Sequence, residues 1–135
     1  MLRKILAVLA GIVAGSVIIF LTEMLGHTVY PLPEGIDIKN PESIKDYIET
    51  APVGAFLMVI LGWVFGSLTA GFVATIIAPD DYARYGMICG VILLAMGIAN
   101  MAMIPHPAWM WVLGILVFLP FAWLGYKLGL RARKR

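Results

Sequence analysis

An all-α membrane protein is the fold class this sequence predicts: a bundle of four spanning helices, with a short interfacial helix in the first outer loop. Three observations predict it. Hydrophobic residues make up 61% of the 135 positions and charged ones only 13%, with a mean hydropathy of +0.94. That leaves too few charges to clothe a soluble domain of this size. Four apolar stretches, at about 5–30, 53–78, 86–104 and 108–128, each approach the ~20 residues that cross a hydrocarbon core. Lys and Arg also segregate along the chain. With both termini cytoplasmic, the inner side carries Arg3, Lys4, Arg84, Lys127, Arg131, Arg133, Lys134 and Arg135, and the outer side only Lys39 and Lys45. Eight against two sets the expected orientation.

The first stretch begins as a secretory leader would, with "MLRK" before an apolar core. Its apolar run continues past Ser16 through "VIIFL" with no polar cleavage region, so an uncleaved first helix is expected. Ala7, Gly11 and Gly15 recur every four residues along it, a spacing that lets helix backbones approach closely.

The outer loop, 31–52, carries five acidic residues and its own helix at about 41–50. Asn40 is a candidate N-cap, Pro41 suits the first helical position and Glu42 the first turn. Ile44, Tyr47 and Ile48 then form one apolar stripe, as expected of a helix lying on the interface or capping the bundle mouth.

The second stretch repeats small residues at Gly62, Gly66 and Ala70, and the fourth at Gly125 and Gly129. These rows predict close packing, within the chain or between copies. "APDDYARYG" and "PHP" are read as tight turns. Trp109, Trp111, Tyr30 and Tyr47 on the outer side, with Tyr82, Tyr85 and Tyr126 inside, are expected as interfacial anchors.

The chemistry of the spans is sparse. Glu23, His27 and Asn100 are the ionisable and amide groups within them, with His106 just beyond the third and Ser16 on roughly the Glu23 face. At 1.5 Å per residue, Glu23 lies ~10 Å and His27 ~4 Å below Tyr30, and Asn100 ~6 Å below Ile104. All fall in the outer part of the membrane. An ionised carboxylate there costs roughly 2.5 kcal/mol or more on insertion scales, less near the interface. Glu23 is therefore expected to face the bundle, a wet cavity or a partner, and to pair with His27 one turn away.

The leading expectation is a non-enzymatic multi-pass protein, a scaffold or accessory subunit whose Glu23/His27/Asn100 site packs helices or binds a partner. The alternative is a small proton-linked transporter or channel using Glu23 and His27. More distant is a metal site made of Glu23, His27 and His106; Glu and His at i, i+4 suggest it only weakly, since the zincin H-E-x-x-H pattern is absent. No cofactor is expected. The lone Cys89 reads as a small apolar core residue, and no basic patch interleaved with aromatics points to nucleic acid. Partners are expected to be the lipid bilayer and further copies of the chain, or a larger membrane complex. Four short helices enclose little space, so a central pathway is expected between copies.

Over most of its length, and most clearly at "EMLGHTVYP" and "GIANMAMIPHPAWMWVLGILVFLP", the chain resembles an uncharacterised family of small four-helix bacterial inner-membrane proteins. The resemblance implies a bacterial inner-membrane location and brings no activity, cofactor or site.

Overall fold

The structure, a computed structural model, describes residues 1–134 and is all-helical. Arg135, counted above with the basic residues near the termini, lies outside the described residues. Four helices are long and apolar enough to cross a membrane: α1 (Leu2–Val29), α3 (Val53–Ile77), α4 (Arg84–Met103) and α5 (Ala108–Arg133). Between the first two sits α2 (Pro41–Thr50). Asn40 caps α2 as its sequence predicts, its side-chain oxygen accepting from the Glu42 N–H at 3.0 Å. Such a cap stabilises a helix by about 1 kcal/mol. Gly35, at φ +92°, makes the turn ahead of it, in the left-handed region where glycine meets no steric penalty. The last helix runs to Arg133 rather than ending near Leu128, because Arg131 and Arg133 join its final turn. Basic side chains there complement the negative end of the helix dipole.

The four long helices run alternately up and down. One end of the bundle holds the chain termini and the α3–α4 turn; the other holds α2 and the α4–α5 turn. The central helix is α3, which buries residues on several faces, from Phe56 and Ile60 to Ala74 and Thr75. On one side α1 crosses it where glycine meets glycine: a Cβ on Gly15 would stand 2.7 Å from the Gly66 carbonyl oxygen. On the other side α5 crosses it at Gly71, where a Cβ would overlap the Ala122 carbonyl, and Gly125 lies against the Leu68 carbonyl. Gly11 and Gly129 pack in the same way, on Ala70 and Ala74, and on Phe72 and Thr75. Gly62 is looser, 3.4 Å from Thr22 Cβ. The small-residue rows are thus spent on contacts within one chain. Gly71, Gly90, Gly97 and Gly114 serve close contacts too, and were not singled out from the sequence because each lies outside the rows read there.

Between α1 and α4 the bundle has a tight half and a loose half. In α1 the buried residues are Ala7, Gly11 and Gly15, all in its first half. Here α4 comes close, with Cys89 Sγ 2.9 Å from the position of a Gly11 Cβ and Leu93 3.2 Å from that of Gly15. Beyond Gly15 α1 buries no further residue, and Ala95, Met96, Ala99 and Asn100 of α4 are exposed. From there towards α2 the two helices are held apart.

At the terminal end, arginines close the structure. Arg3 Nε donates to the Ile77 carbonyl at 2.9 Å, and Arg133 donates to the Thr75 and Asp80 carbonyls at 3.2 and 3.0 Å. Helix α3 thereby gains partners for carbonyls that its last turn leaves unpaired. "APDDYARYG" is therefore more than a simple turn. Asp80 accepts from Arg84 and from the Tyr85 hydroxyl, at 2.8 and 2.9 Å, and Tyr126 donates to the Asp81 carbonyl. Tyr85 is buried rather than an interfacial anchor, because its hydroxyl is engaged by this network.

Candidate functional site

At the α2 end the gap between α1 and α4 becomes a cavity of about 340 Å³. Its roof is the apolar stripe of α2: Ile44, Tyr47 and Ile48. Its walls include Glu23, His27 and Tyr30 from α1 and the residue after it, Phe56 and Val59 from α3, and Asn100, Ile104 and His106 from α4 and the following turn. Below it, deeper in the bundle, a second cavity of about 240 Å³ is lined by Ser16, Ile19 and Phe20, by Trp63 and Phe118, and by Leu93, Met96 and Gly97. Glu23 and Asn100 line both. They stand on opposite helices at the boundary between an upper and a lower chamber.

The residues singled out from the sequence are thus gathered around two adjoining cavities, though not in the expected manner. No ion pair or hydrogen bond links Glu23, His27 and Asn100 among the described residues; the ion pairs are Arg84–Asp80 and Arg133–Asp81 at the opposite end. The expected Glu23–His27 pair is open, and each group faces void rather than its neighbour. Thr22 and Thr28, which flank the pair, bond back to the carbonyls of Ile18 and Met24 within α1. His106 turns its Nδ1 onto the Ile104 carbonyl. Since a carbonyl only accepts, that nitrogen carries a proton, leaving Nε2 as the free ring atom.

This geometry lends the metal reading no support. Among the described residues no three His, Cys, Asp or Glu side chains converge closely enough to hold an ion. Glu23, His27 and His106 share a cavity wall but not a coordination point, and one nitrogen of His106 is spent on its own turn.

The rest of the site was not legible in the sequence. Trp63 and Phe118 stack with ring centroids 5.4 Å apart and planes inclined by 31°. They form an aromatic wall of the lower chamber. Phe56 meets Trp109 edge to face at 6.0 Å behind the upper one. Only their position along apolar helices was visible, and periodicity cannot say which aromatic residues border a void. Two hydroxyls lie deeper still. Thr75 donates to the Gly71 carbonyl at 2.7 Å, whereas the buried Ser67 hydroxyl has no protein partner among the described residues.

Fold and site together define a class: an all-helical bundle with four helices apolar enough to span a membrane, and a roofed, two-chambered cavity towards one end. Compared with known protein families, curated proteins and solved structures, the chain finds no match.

Proposed function

We propose that this is a multi-pass protein of the bacterial inner membrane, with both termini cytoplasmic, that binds a small solute in the cavity beneath α2. The role is non-enzymatic: a binding protein or the accessory subunit of a membrane complex. The distribution of Lys and Arg supports this orientation, and with it a cavity on the outer-leaflet side.

One observation carries the reading. Glu23 and Asn100 face two chambers and not each other, whereas helix-locking polar residues bond across the contact they lock. Intramembrane ionisable groups that face space mark ligand or ion sites by default. A cavity of about 340 Å³ also falls at the lower end of the range of small-molecule sites. Passage through the protein is the second reading, favoured by Ser16, which extends the polar wall towards mid-membrane. It requires the terminal end to open, where Gly11 packs on Ala70, Ala74 and Cys89. Homo-oligomers remain compatible with either reading, but the site is built from one chain.

The test is thiol accessibility. In a Cys89→Ser background, Asn100→Cys is expected to react in intact cells with a membrane-impermeant maleimide, and Lys134→Cys only after the cells are opened. An Asn100→Cys thiol that stays unreactive in detergent as well would remove the cavity from the account.

A further inference from the structure

The walls of the two chambers say what kind of solute they suit. Neither chamber is lined by Lys or Arg among the described residues, and Glu23 is the one carboxylate on either wall. It stands at the boundary between them and forms no ion pair among the described residues. A carboxylate held in partly apolar surroundings is costly unless an opposite charge accompanies it. His27, one turn away on α1 and on the wall of the upper chamber, can carry a charge but forms no ion pair with Glu23, so a cationic occupant supplies the close contact that the chain leaves unmade.

The remaining walls are apolar and aromatic. Trp63 and Phe118 border the lower chamber next to Glu23, and Tyr30 and Tyr47 border the upper one. Aromatic faces attract cations through their quadrupole, and most strongly where water is scarce. An anion would meet Glu23 as a like charge. A neutral apolar molecule would fill the volume and leave the carboxylate uncompensated.

Access follows from Phe20 and Met96. Both line the lower chamber and both are exposed on the outer surfaces of α1 and α4. The cleft between these helices therefore opens sideways, towards where lipid would lie, as well as beneath α2.

We propose that the cavity binds an organic monocation with an apolar body, entering between α1 and α4, with its charge at Glu23 and its apolar part against Trp63 and Phe118. This rests on the reading above that the cavity takes a solute, and it names the class of that solute. Asn100, on the facing helix, offers its carbonyl oxygen to the same charge.

The experiment uses the full chain in phosphatidylcholine nanodiscs at pH 7.5, with empty nanodiscs as baseline. The probes are phenyltrimethylammonium, its neutral isostere tert-butylbenzene, and benzenesulfonate. Binding is read by calorimetry and by quenching of tryptophan fluorescence. Saturable binding of the cation is expected, about tenfold or more tighter than that of the neutral isostere, since a charge contact in a low-dielectric site contributes at least that much. Benzenesulfonate is expected not to bind. Glu23→Gln should remove the preference for the cation and keep the weak binding of the isostere. Asn100→Asp, which adds a carboxylate to the same boundary, should tighten cation binding. Equal binding of cation and isostere by the wild-type protein would overturn the proposal without recourse to any variant, as would a cation preference that survives Glu23→Gln. If Asn100→Cys is labelled but no cation binds, the solute class fails while the cavity stands; an unreactive Asn100→Cys removes both.

Discussion

The two ends of this bundle are built from different materials. At the terminal end, glycines and alanines bring α1, α3, α4 and α5 into backbone contact, and Arg3, Arg84 and Arg133 tie the α3–α4 turn with charge-assisted hydrogen bonds. At the α2 end Glu23, His27 and Asn100 bond to nothing across the gap between α1 and α4, and a cavity lies there instead. Polar residues thus do opposite work at the two ends. They close the structure where their partners are backbone carbonyls, and leave it open where no partner is in reach.

The same substitution made at both ends should break this contrast most sharply. Gly71→Ala would drive a methyl group into the Ala122 carbonyl, so α5 must shift. Overpacking of this kind costs about 3 kcal/mol, expected as a lowered unfolding temperature in detergent or loss of folded protein. Gly26→Ala meets only the Met58 side chain, at 3.2 Å, and should lie within about 1 kcal/mol of wild type. Comparable losses at both positions would mean that the α2 end is as closely packed as the terminal end.

Next in size is the removal of one polar side chain from each end. Arg133→Ala strips partners from the Thr75 and Asp80 carbonyls. It should cost about 1–2 kcal/mol and speed amide exchange in the α3–α4 turn. Glu23→Gln breaks no hydrogen bond and removes the cost of an unpaired carboxylate, so stability should hold or rise. A Glu23→Gln loss as large as that of Arg133→Ala would restore the helix-packing reading.

The smallest effect concerns acid. Burial works against the Asp80 carboxylate, but hydrogen bonds from Tyr85, the Tyr82 N–H and Arg84, with the Arg84 charge, outweigh it and hold its pKa below the ordinary 3.8. A depressed folded-state pKa contributes stability that is fully present above the unfolded value and is lost as pH falls through the folded one. The turn should therefore hold down to about pH 4 and loosen only below that, as followed by carboxyl chemical shifts. Tyr85→Phe should move the Asp80 titration upward, and an unchanged midpoint would show that the Tyr85 contact contributes nothing.

How much was legible can be judged residue by residue. The α2 boundaries were, because Asn40, Pro41 and the Ile44/Tyr47/Ile48 stripe are local signals that tertiary contacts do not override. The packing roles of Gly15 and Gly66 were legible for the same reason, as a repeat along one helix face. The burial of Tyr85 was not, since it depends on Asp80 and Arg84 meeting its hydroxyl across a turn. Nor was the openness of the Glu23–His27 pair: spacing along a helix says that two side chains share a face, not that they touch.

The sequence by itself determined the helices, their apolar character and the positions of Glu23, His27 and Asn100 along them. These follow from hydropathy, caps and a fixed rise per residue, all properties of neighbouring positions. Only the tertiary structure decided whether those polar groups meet one another or face a void. That outcome depends on how closely α1 and α4 approach, a relation between separate helices that leaves no periodic signal along the chain.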